Sequence, residues 1–173
     1  MSIESNYNAS DWQSINLLPI LVGTAAACAG TSGLFGTMKE SFASVQAMME
    51  GVKTYPDNAL ISAIAPNPAD RAAAKERALA QRDAFKAKMA SHEVKRREEL
   101  IVLALDEARR VAHVLPSGAT EQAVSEFKEW VNGIASHVSN AAKEGGFLGI
   151  GGTRVSEGEQ QFIEDLRMAL GSN

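Results

Sequence analysis

Two glycine-rich segments of similar pattern, one near each end of the chain, constrain the fold most. The first spans 29–40 (AGTSGLFGTMKE) and the second 145–159 (GGFLGIGGTRVSEGE). Each follows an alanine-rich apolar run and carries a Phe/Leu pair, Leu34-Phe35 in one and Phe147-Leu148 in the other. Each leads into a Ser/Thr-x-x-Glu box, Thr37 to Glu40 and Ser156 to Glu159. In such a box the hydroxyl accepts from the amide three residues on and the carboxylate reaches back, so a helix starts there. The pattern predicts two related helix–loop–helix halves within one helical domain. It says little about chemistry.

The rest of the chain reads the same way. No segment alternates apolar and polar residues over a strand length. The predicted fold class is therefore all-α, a single-domain bundle of about seven helices over 10–173, with a polar, frayed stretch at 1–9. Ser10 to Gln13 reads as a box opening a helix to about Ala29, and Pro19 should kink it or mark a later start. Thr37 opens a helix from Met38 to about Lys53, with an apolar stripe of Phe42, Val45, Met48, Met49 and Val52. Asp57 can cap a short helix through Leu60, Ile61 and Ile64, ended by Pro66. Asn67-Pro68 begins a stretch to Leu115 that either turns near Ser91-His92 or continues as one long helix. Within it, Leu100 to Leu105 is apolar on every side and is expected at the centre of the bundle. After the break at Leu115 to Gly118 comes the cleanest stripe, Val124, Phe127, Val131, Ile134, Val138 and Ala141, with Trp130 beside it. The last helix carries Phe162, Ile163, Leu166 and Leu170, and Gly171 ends it.

Composition narrows the function classes. The net charge is −4, and a mildly acidic chain has no general attraction to phosphate backbones, so nucleic acid is not expected as a partner. Basic runs such as Lys95-Arg96-Arg97 are followed by acids and read as a solvated face. The single cysteine, Cys28, permits no internal disulfide, suits a reducing cytoplasm, and in its alanine run reads as a buried, inert thiol. No Lys or Arg precedes Lys39, which argues against a signal peptide. The apolar stretch from Ile15 to Gly36 contains Pro19, Gly23, Gly30 and Gly33 and lacks basic flanks. A buried core helix is expected, with a membrane-peripheral segment acting together with loop 146–152 as the alternative.

Candidate chemistry gathers around the second glycine segment. A phosphate-binding loop would need a preceding strand and a Lys before Ser/Thr, and neither is present. Phe147, Leu148 and Ile150 either plug the core or form a partner-binding patch. Glu144, Glu157 and Glu159 surround the loop and could share a divalent cation such as Ca²⁺, although helix capping also explains Glu157 and Glu159. His92, His113 and His137 lack metal-ligand spacing, and no serine sits in a nucleophile motif. An enzyme with an unrecognised cavity would have no assignable catalytic residue. A homodimer through Phe127, Trp130 and Ile134 is a further possibility.

An alanine-rich helix, a glycine-containing turn and a Ser-x-x-Glu helix opening resemble the TerB-like proteins of tellurite resistance. Ala141-Ala142-Lys143-Glu144-Gly145 is similar to the family's turn, and Ser156-Glu157-Gly158-Glu159 to its helix opening. The first copy, Ala27-Cys28-Ala29-Gly30 with Thr37 to Glu40, lacks the turn's acid. The resemblance implies a small all-helical bacterial domain of about seven helices, non-enzymatic, acting as an adaptor or sensor in a stress response. It also implies an acidic cation site, for which only Glu144, Glu157 and Glu159 are available, the first loop lacking its carboxylate; the second loop is longer than the family's and carries Glu for Asp.

Overall fold

The computed structural model describes residues 2–30, 38–65, 71–144 and 156–172, the side chains of 38–43, 71 and 142–144 excepted. Seven α-helices and no strand occur among them: α1 Ala9–Ala29, α2 Met38–Thr54, α3 Ala59–Ile64, α4 Arg71–Ser91, α5 Arg97–Val114, α6 Glu121–Glu144 and α7 Glu157–Leu170. The all-α bundle expected from the sequence is present.

The central element is α1, which packs on α5 and α6 and also touches α2, α4 and α7. Ile15, Leu18, Leu21, Val22, Ala25 and Ala26 on it are all fully buried. The helix runs through Pro19 as one element. By length and composition it could cross a membrane, with a mean hydropathy of 1.3, but 56% of that window is buried inside the bundle. An apolar helix covered on most sides by other helices is what a polar-surfaced bundle needs at its centre.

The run Leu100 to Leu105, expected at the centre, lies largely in the core, with Leu105 buried and Ile101 packed against it. Leu100, Leu103 and Ala104 face the core, while Val102 is 57% exposed. The stripe on α2 is shifted: Val45 is 48% exposed, and the inward face is Ala47, Met48 and Gly51. The reason is Trp130 of α6, whose indole nitrogen lies where a Cβ at Gly51 would stand. The expected α6 stripe holds: Phe127, Val131, Ile134 and Val138 are fully buried, with Trp130 edge-on to Phe127 at 5.7 Å. Phe127, Trp130 and Ile134, from which the sequence offered a homodimer face, are buried within the chain's own core.

Two caps sit one or two residues from their expected places. The cap of α1 is Asn8, whose side chain accepts from the Asp11 amide. Ser10 lies inside the helix and takes a hydrogen bond from Arg110. The cap of α3 is Asn58, not Asp57; it accepts from Leu60 and Ile61 and donates to the Ala123 carbonyl and to Glu126. The start of the chain, expected to be frayed, forms a 3-10 turn at Ile3–Asn6. Asn6 donates to the Gly118 carbonyl, and the Tyr7 hydroxyl donates to the Leu115 carbonyl, where the tyrosine ring covers the bare face of Gly118. Between α4 and α5 the chain turns at His92 and does not continue as one long helix. Glu93 takes a left-handed conformation (φ 50°), and the amides of Glu93 and Val94 close back on Ala90 and Met89.

Candidate functional site at the glycine end of the bundle

The two glycine segments are anchored against each other. The last carbonyl of α1, that of Ala29, lies over Gly158 at the start of α7, and a Cβ on Gly158 would stand 2.5 Å from it. Gly30 answers from the other side: a Cβ there would stand 2.9 Å from Glu159 Oε1. The backbone at Gly30 is extended (φ −70°, ψ 162°), a conformation open to any residue. What glycine supplies here is space. The contact also matches charge, because the end of α1 presents free carbonyls and the start of α7 presents free amides.

Glu159 is 5% exposed at this junction. Its Oε2 accepts from the Ser156 amide at 2.8 Å and from the Ser156 hydroxyl at 2.9 Å, and the Ser156 oxygen accepts from the Glu159 amide at 3.3 Å. The capping box expected from the sequence is thus formed, and it fixes the buried carboxylate against α1.

Helix directions bring the other ends of both segments here too. Late in α2, Gly51 lies on Trp130, early in α6, whereas Ser44, early in α2, lies beside Gly23 late in α1. Therefore α2 runs antiparallel to α6. The start of α2 and the end of α6 then share the end of the bundle that holds the end of α1 and the start of α7.

Among the candidate cation ligands, Glu159 is buried in the junction and Glu157 is exposed on the outer side of α7, as two positions two apart on a helix must diverge. Glu144 is the last residue of α6, and its side chain lies outside the description. Phe147, Leu148 and Ile150 fall outside the described residues, as does Thr37. Among the described residues no group of three or more His, Cys, Asp and Glu side chains could hold a metal ion. His92 and His113 are exposed, and His137 and Cys28 are half-buried.

One charged pair was not anticipated. Lys88 of α4 and Glu107 of α5 pair at 2.5 Å, with side chains 19% and 7% exposed, and the second carboxylate oxygen of Glu107 is buried without a hydrogen-bond donor. It backs an open cleft of about 580 Å³ that also involves His92, Leu103 and Arg110. The signal was present in the sequence: Glu107 falls on the apolar stripe Leu100, Leu103, Ala104, Ala108 and Val111. A carboxylate on such a stripe must be paired or capped.

No family model, curated protein or solved structure matches the chain.

Proposed function

We propose that this chain is a helical adaptor or sensor module of the kind the TerB-like resemblance implies, acting through the glycine end of the bundle. The reading is carried by the reciprocal fit of Gly30 to Glu159 and of Gly158 to the Ala29 carbonyl, which gathers both glycine segments at one place. In the sequence those segments carry Leu34, Phe35, Phe147, Leu148 and Ile150, and apolar residues in connecting segments are common means of holding a protein partner. The capping box gives the end a means of response. Anything that draws the Glu159 carboxylate from Ser156 loosens the start of α7 and its seat on α1. A divalent cation is the proposed effector, with Glu144 and Glu159 as its protein carboxylates.

The test is photo-crosslinking in the source cells, with a photoreactive residue at position 148 or 150 and, as control, at position 117 on the opposite end. Adducts to one protein from 148 and 150 but not from 117 support the reading. Adducts confined to 117, or equal at all three sites, overturn it. The cation arm is tested separately by melting temperature in a Ca²⁺, Mg²⁺ and Mn²⁺ series. It predicts a rise in the wild type that Glu144→Gln reduces, since a ligand of the native state alone must stabilise it; no rise removes that arm.

A further inference from the structure

Two exposed helices, α4 and α7, differ in charge. The α4 helix carries six basic residues (Arg71, Lys75, Arg77, Arg82, Lys86, Lys88) and two acidic ones (Glu76, Asp83), a net of +4 in a chain whose total is −4. None of its described side chains is fully buried. An exposed stripe on it is Lys75, Leu79, Arg82 and Lys86, with Leu79 43% exposed and the Arg82 guanidinium paired with the neighbouring Asp83. The α7 helix carries Glu157, Glu159, Glu164 and Asp165 against Arg167, a net of −3 by sequence, of which Glu159 is buried at the α1 junction and Glu157 and Glu164 are exposed. Its outermost stripe is Glu157, Gln161, Glu164 and Met168, with Met168 65% exposed. The two stripes have the same spacing and opposite charge, and each has one large apolar side chain in the open.

We propose that the α4 face of one molecule docks on the α7 face of a second copy. In an antiparallel arrangement Leu79 lies beside Met168, Arg82 beside Glu164, and Lys86 over Gln161 within one turn of Glu157. Opposed helix dipoles favour that direction. The contact joins two different surfaces, so it propagates into rings or open chains rather than closing as a symmetric dimer. An anionic membrane is the poorer occupant. A surface-lying helix presents a wide apolar face to lipid, and the large apolar residues Phe85 and Met89 of α4 pack against the core instead. One helix face per partner is a small interface, so association is weak and steered by charge.

Sedimentation velocity of the full chain reads this directly, at concentrations up to about 1 mM and in about 20 mM or about 0.5 M salt. The expected result is a sedimentation coefficient that rises with concentration at low salt and not at high salt. Arg82→Glu with Lys86→Glu abolishes the rise, and so does Gln161→Lys with Glu164→Lys. Mixing the two charge-reversed proteins restores it, because each then supplies the complement of the other. All four positions are exposed, and circular dichroism verifies the fold of each variant. A wild type that stays monomeric throughout overturns the proposal, as does association that survives the α4 reversal or fails to return on mixing. Binding of the monomer to phosphatidylglycerol vesicles, lost on the α4 reversal, assigns the face to a membrane and equally overturns it.

Discussion

Gly158 and Gly30 serve one contact from its two sides, and the neighbouring atoms differ in how far they can yield. Opposite Gly158 is a backbone carbonyl at the end of α1; opposite Gly30 is the tip of the Glu159 side chain. Gly158→Ala therefore separates two helices, at a cost of about 1–3 kcal/mol, typical of overpacking. That lowers the melting temperature by about 2–4 °C for each kcal/mol. Gly30→Ala displaces only a carboxylate and costs less. Gly133 in α6 has nothing within 4 Å of its Cβ position, so Gly133→Ala stabilises, by up to about 1 kcal/mol. Thermal denaturation of the three variants checks the order, and a neutral Gly158→Ala would sink the account of the junction. Glu99 makes a separate prediction. It accepts from the amides of Lys95 and Arg96 and pairs with the Arg96 guanidinium. The Lys95 amide first, then the Arg96 side chain and amide, hold its carboxyl down at about 2 from the ordinary 4.5. Its native pKa is depressed, so its contribution is present above the ordinary carboxylate range and fades as pH falls from about 4.5 towards about 2. Glu99→Gln should flatten that part of the acid limb of stability. NMR titration of Glu99 in the wild type should place its midpoint near 2; a midpoint near 4.5 contradicts the capping geometry.

At the scale of elements, α4 is the exception in this bundle. Its Ala, Lys, Arg and Glu content makes it a good helix by intrinsic preference. Its attachment to the rest is largely polar: Arg77 to the Ala65 carbonyl, Gln81 to Asn16, and Lys88 to Glu107. Among its described residues, Ala84, Phe85 and Met89 are the hydrophobic ones that pack on the apolar core. Amide exchange should therefore be faster in α4 than in α1, α5 or α6, since local opening follows the apolar contacts that must be broken. The ion pair is the strongest single tie. Lys88→Ala leaves Glu107 charged and enclosed, and should cost about 3 kcal/mol, the lower end for a buried pair because the lysine keeps some exposure. Lys88→Met with Glu107→Leu removes both charges and should cost far less than Lys88→Ala alone. Equal losses in urea denaturation would show that the pair acts through packing and not through charge. Most elements were legible in sequence, because proline, glycine and capping signals are local. The exact caps were not. Asn8 and Ser10 both suit α1, and Asp57 and Asn58 both suit α3. Distant partners settle the choice: Arg110 takes Ser10, while Ala123 and Glu126 hold Asn58.

For the whole molecule, which helix lies at the centre was the reading that sequence supported least. The stretch Leu100 to Leu105 and the stretch from Ile15 onward are both dense in apolar residues, and periodicity does not rank two such helices. Packing does, because α1 is flanked by five other helices and α5 keeps one face in water. The glycine junction was half legible: the capping box at Ser156 was readable, but the pairing of Gly30 with Glu159 depends on the antiparallel seat of α7 on α1. Burial of α1 in the bundle bears on a membrane-peripheral use of the same helix. Ala25 and Ala26 are fully enclosed at 0% exposure, so their small size is a packing requirement. Ala25→Leu makes α1 more apolar and a better membrane segment by composition. In the bundle it forces the surrounding helices apart, at about 1–3 kcal/mol. The expected outcome is a melting temperature lowered by several degrees, about 2–4 °C per kcal/mol, with no gain in liposome co-sedimentation of the folded protein. A variant that keeps its melting temperature and binds liposomes more strongly would show α1 working in lipid. The enclosed alanines would then have to be explained by some state other than this bundle.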